Sequence, residues 1–137
     1  MADLSQTPAD VAIKAASPTV RTVQCAESVT QGQPLYLDSV TSKYRVANAA
    51  GTSAQAVVVG ISLTPAESDE WSQLMTAGTI DLGATLVVGE TYYLSNASGK
   101  VMPSADVSSG EYVTELGIAT AADKLVLGIQ VSGVERA

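Results

Sequence analysis

Reaction chemistry needs side chains that can hold a proton, a metal ion or a nucleophile, and the densest such group here is Glu67, Asp69 and Glu70. Carboxylate oxygens suit a hard cation such as Ca²⁺, and two acids at the correct separation are enough for glycoside hydrolysis. A short acidic run is far more often a solvated loop. Sugar clefts are also lined by aromatic rings, and this chain has one tryptophan, five tyrosines and no phenylalanine. It has no histidine, which removes the commonest general base near neutral pH and the commonest metal ligand. Gly60-Ile61-Ser62-Leu63-Thr64 begins like a nucleophile elbow, but Thr64 stands where the second glycine is required. Ser98-Gly99-Lys100 resembles the end of a phosphate-binding loop, yet Leu94 occupies the place of its first glycine, so a hairpin turn explains it better. Cys25 is the single cysteine. It can form no intramolecular disulfide, and Arg21 alone does not make the basic setting of a reactive thiol, so it reads as a small buried apolar residue. These residues give no catalytic, cofactor-binding or metal site, and the chain reads as a non-enzyme.

The elements that would position any site are those of one domain, the usual content of 137 residues. With 46% hydrophobic and 15% charged residues the composition is globular, but the core must be built from Val, Ile, Leu, Ala and Tyr. Such a thin core buries limited apolar area per residue, so association between copies is expected to supply part of the stability. A formal net charge of −7 repels a polyanion, and the seven basic residues form no dense run; nucleic acid is not an expected partner. The first six residues lack the basic and apolar parts of a secretory signal, and the longest apolar run, Ala56 to Ile61, is far below the ~20 residues of a membrane span. Synthesis in the cytoplasm and no membrane partner are the expectations.

Residues 1–19 carry Pro8 and Pro18 among Ser, Thr, Asp and Ala with no sustained apolar period, and read as an extended N-terminal arm. The patch Val11-Ala12-Ile13-Lys14 suits a strand paired with another chain. Leu4, Val11, Ile13 and Val20 are the candidate partner-binding anchors, because apolar side chains in a polar extended segment need a place to be buried. Residues 20–137 are a succession of β-branched and aromatic runs closed by Gly, Pro, Asn, Asp or Ser, the punctuation of an all-β fold. Strands are expected near 20–26, 34–38, 43–47, 56–63, 70–77, 79–82, 91–95, 100–102, 112–120 and 124–131, with at most one helical turn at 65–69. Gly32, Tyr36, Leu37, Lys43, Gly60 and Ile61 recur at an offset of 57 as Gly89, Tyr93, Leu94, Lys100, Gly117 and Ile118. This defines an internal repeat over about 28–66 and 85–123. A duplicated β unit of this kind closes into a small barrel or a two-layer sandwich, which hides most strand edges.

The stretches that carry the repeat also resemble a known group, the capsid decoration (cement) and head-fibre-type proteins of tailed bacteriophages. They are Gly32-Gln33-Pro34-Leu35-Tyr36-Leu37-Asp38, Val57-Val58-Val59-Gly60-Ile61-Ser62-Leu63, Met75-Thr76-Ala77-Gly78-Thr79-Ile80-Asp81-Leu82-Gly83, Gly89-Glu90-Thr91-Tyr92-Tyr93-Leu94-Ser95, Leu116-Gly117-Ile118-Ala119 and Leu125-Val126-Leu127, and they span roughly residues 25 to 133. The likeness is one of style and order and includes no catalytic signature. It implies a virion protein on the capsid surface, assembled as a homotrimer, that binds the major capsid protein through its arm and stabilises the head. A fibre or host-receptor-binding module, using loops 48–55 and 104–111, is the alternative that the same resemblance leaves open.

Overall fold

In the computed structural model, which describes residues 3–4, 6–14, 18–104 and 110–136, the chain is all β. Among the described residues ten strands follow in order: β1 (Val11–Ile13), β2 (Thr19–Gln24), β3 (Pro34–Asp38), β4 (Lys43–Val46), β5 (Val58–Ser62), β6 (Trp71–Leu82), β7 (Thr91–Leu94), β8 (Val101–Pro103), β9 (Tyr112–Ala121) and β10 (Lys124–Glu135). Short 3₁₀ turns occupy Pro8–Asp10 and Ala54–Ala56. No helical turn forms at 65–69. There Ala66 makes an antiparallel bridge to Val29, and Asp69 turns the chain with φ +70°.

The strands form one curled antiparallel sheet ordered β4-β3-β5-β6-β10-β9-β7-β8, with β1 and β2 both paired to β6. The sequence reading divided 70–82 into two strands; the structure has one. Glycine at position 78, with φ +115°, bends this strand without breaking its ladder. Before the bend, β6 pairs with β2 and β5; after it, with β1 and β10. A single strand therefore closes one β unit and opens the next.

The two units keep the same register at an offset of 57. Leu35, Tyr36 and Leu37 face Val46, Arg45 and Tyr44, and Tyr92, Tyr93 and Leu94 face Pro103, Met102 and Val101. The bulge between Leu35 and Tyr36 against β5 recurs between Tyr92 and Tyr93 against β9. The N–H of Gly32 donates to Ser62 O at 2.8 Å and that of Gly89 to Ala119 O at 2.8 Å, both glycines having the positive φ this turn requires. Between β5 and β6 lie eight residues (63–70), between β9 and β10 only two (122–123). The register accordingly makes Leu74, opposite Ser62, the counterpart of Leu125, opposite Ala119, at an offset of 51.

In the first unit Val23, Cys25, Val29, Leu35, Tyr44 and Leu74 form a small core. Cys25 bridges to Tyr44 on β4, so β2 and the residue after it close this unit into a barrel. The counterparts Ile80, Leu82, Leu86, Tyr92, Val101 and Leu125 all belong to the larger second core. That core also takes Tyr36, Val58, Ile61 and Met75 from the first unit. Leu35 and Tyr36, and again Leu74 and Met75, are thus neighbours that point into different cores, as strand alternation dictates. The first unit is covered on part of its outer face, through Tyr36, Val58, Ile61 and Met75, by the second, an open half-barrel that shares its interior with that face.

Candidate interaction surfaces

The N-terminal segment, expected to reach another chain, lies on its own sheet where it is described. Val11, Ala12 and Ile13 pair with Leu82, Asp81 and Ile80. Backbone bonds extend the contact, with Leu4 N–H donating to Val101 O, Thr7 to Gly83 O and Lys14 to Thr79 O. Gln6 Nε2 donates to both Gly32 O and Leu82 O at 3.1 Å. Leu4 and Val11 pack against the larger core, whereas Ile13 and Val20 remain 43% and 38% exposed. Of the four anchors named from sequence, two are therefore used inside the chain and two face outward. The Lys14 ammonium sits between Asp81 (3.8 Å) and Asp123 (3.5 Å), at the rim of an open depression of about 630 Å³ that also takes Thr7, Asp10 and Thr85.

The residues that could have done chemistry are occupied by turn-making. Ser62 is fully buried; its Oγ donates to Thr30 O at 2.5 Å and accepts the Gln33 N–H, which fixes the chain entering β3. The Gly99 N–H donates to Ala47 O, and the Lys100 N–H to Ala97 O, so 98–100 is a turn docked on the first unit. In the acidic loop, Glu70 Oε1 accepts the Glu67 N–H at 2.8 Å and Asp69 pairs with Lys43 Nζ at 2.5 Å. Among the described residues no three His, Cys, Asp or Glu side chains converge as metal ligands. Cys25 is buried, and burial, reinforced by the nearby Glu27 carboxylate, pushes its thiol up.

Several large apolar side chains face solvent. Trp71 is 61% exposed at the start of β6, opposite Gln24. Val40 tips the β3–β4 turn, and Val87 and Val88 tip the loop before β7. Ile118 and Val126 stand side by side on β9 and β10, both exposed. Sequence alternation carried the signal for that last pair, since each lies between buried neighbours, but which face would be covered depended on the fold of the whole sheet. The described part of loop 48–55 and 104–111 is mostly exposed, and Asn48 Nδ2 donates to Ser98 Oγ. No helix among the described residues is long and apolar enough to cross a membrane. The chain matches no family model and no curated protein.

Proposed function

We propose that this chain is a structural, non-enzymatic decoration protein of a tailed-bacteriophage capsid, resident on the outer shell as an oligomer and bound to the major capsid protein. The observation that carries this reading is the display of large apolar side chains on a rigid double β unit. Trp71, Val40, Val87 and Val88 are exposed while Ser62, Cys25 and the acidic loop serve turns and packing. Surfaces of this kind work by excluding water against a partner, and aromatic residues such as Trp71 are frequent anchors. The resemblance of residues 25–133 to decoration and head-fibre proteins supplies the partner. Copies arranged by symmetry then multiply individually weak contacts through effective concentration.

The N-terminal segment fits the role of a gripping arm through its outward residues. Ile13 and Val20 are available on the free chain, while Leu4 and Val11 are held by the core. The test is to mix purified protein with shells that lack it and to image the particles. Wild type adds ordered density to the shell surface, and the double variant Ile13→Lys, Val20→Lys stays folded but occupies far fewer sites. Bare shells after mixing with wild type, or equal occupancy by the variant, would overturn the capsid reading or the arm's part in it respectively.

A further inference from the structure

Strand β10 is twelve residues long, yet it is bordered on both sides only at its start. Leu125, Val126 and Leu127 pair with β6 on one edge and β9 on the other. Beyond Leu127 the partner is β9 alone, through Gln130, Val131 and Glu135. Among the described residues no strand pairs with the other edge over 128–134. An open edge is a row of unpaired N–H and C=O groups, and proteins usually blunt one with charge, proline or cover. Here the stretch reads Gly128-Ile129-Gln130-Val131-Ser132-Gly133-Val134, with neither charge nor proline. A bulge around Gly133, φ +69°, interrupts the stretch, and Ser132 Oγ accepts the Val134 N–H and donates to Val134 O, so the backbone of Val134 is already engaged. Val131 and Val134 are 38% and 64% exposed, and a Cβ placed on Gly128 or Gly133 would meet nothing within 4 Å.

The first unit shows what such a strand is built to have. Its closing strand, β6, is bordered on both edges after the bend, by β1 and by β10. β10 is the counterpart of β6 in the second unit, and its distal half lacks the second neighbour. The first unit takes one of those neighbours, β10, from a second β unit of the same kind, and a second copy of this chain can supply such a unit to the distal half of β10.

We propose that the free edge of β10, residues 128–132, pairs through backbone hydrogen bonds with a strand edge of a second copy of this chain. In a chain of net charge −7 this uncharged strip is where like copies meet with least repulsion. The inference concerns self-association only and holds or fails independently of binding to a shell.

The experiment is sedimentation of wild type and of the double variant Val131→Lys, Val134→Lys from ~1 to 100 µM, with circular dichroism to check that both are folded. Wild type associates, and the lysines weaken the association at least tenfold, about 1.4 kcal/mol. Ser39→Lys, at the exposed β3–β4 turn, leaves it unchanged. Hydrogen exchange on wild type gives a readout that needs no variant: amides within 128–132 gain protection as concentration rises. A wild type that stays monomeric to 100 µM, undiminished association of the folded lysine variant, or exchange at 128–132 that ignores concentration would each overturn the proposal.

Discussion

Gly60 and Gly117 sit where strands approach too closely for any side chain. A Cβ on Gly60 would lie 2.4 Å from Met75 O, and one on Gly117 would lie 2.2 Å from Val126 O. Neither has the positive φ of a turn glycine, so the demand is for space alone. Their recurrence at one offset was visible in the sequence; its cause was not, because the obstructing carbonyls belong to β6 and β10, whose offset differs by six residues. Gly117→Ala must push β10 away from β9 and is expected to cost about 1–3 kcal/mol, the usual penalty of overpacking. Gly128→Ala, with open space at its Cβ, should be close to neutral. Urea unfolding at low concentration measures both, and equal costs would show that the close approach is not what selects glycine at 117. Tyr36 and Tyr93 teach the complementary lesson. They occupy matching positions, yet Tyr36 is buried at 8% exposure in the larger core while Tyr93 is only half-buried. Sequence matched the positions and could not say that one unit would cover the other.

The β3–β4 hairpin shows how an element is held by charge at its turn end. Arg45 Nε donates to Asp38 Oδ2 at 2.8 Å, and the Val40 N–H donates to Asp38 Oδ1 at 3.0 Å within the turn. The guanidinium bond first, then the turn N–H, hold the Asp38 carboxyl below the usual carboxylate range. Because its folded value is depressed, Asp38 adds stability above the ordinary value near ~3.9, and that contribution disappears as pH falls through the lower, folded value. In Arg45→Met the Asp38 carboxyl should titrate closer to the ordinary range by NMR. Its melting temperature should lie below that of wild type at pH 7 and converge with it in strong acid. A gap that persists unchanged at low pH would mean that the arginine acts through packing. At this scale the sequence was most legible where partners are near in the chain. β3, β4, β7 and β8 stand within a residue or so of their expected places, since each hairpin is fixed by alternation and a local turn. β1 is three residues whose partner lies some 70 positions away, and β10 runs on to Glu135 because β9 continues to pair with it. The patch 11–14 was legible as a strand, but no local pattern marks its partner in the same chain or the extension of β10.

Across the whole molecule the two units are not two domains. β6 belongs to both, and the larger core draws Tyr36, Val58 and Ile61 from the first unit against Tyr92, Leu116 and Leu125 from the second. The small core around Leu74 could in principle support the first unit alone, but without the second its outer face would lay those apolar side chains bare to water, at roughly 25 cal/mol for each Å² exposed. Unfolding is therefore expected as one cooperative step. Leu125→Ala, a fully buried site in the second unit, should cost about 2–5 kcal/mol. The discriminating measurement is where that loss is felt. Native-state hydrogen exchange of the variant should speed up in β3 and β5 as much as in β7 and β9, because opening the shared core opens both units together. Acceleration confined to residues 91–127 would show instead that the first barrel stands by itself, and that the duplication joined two separately stable parts.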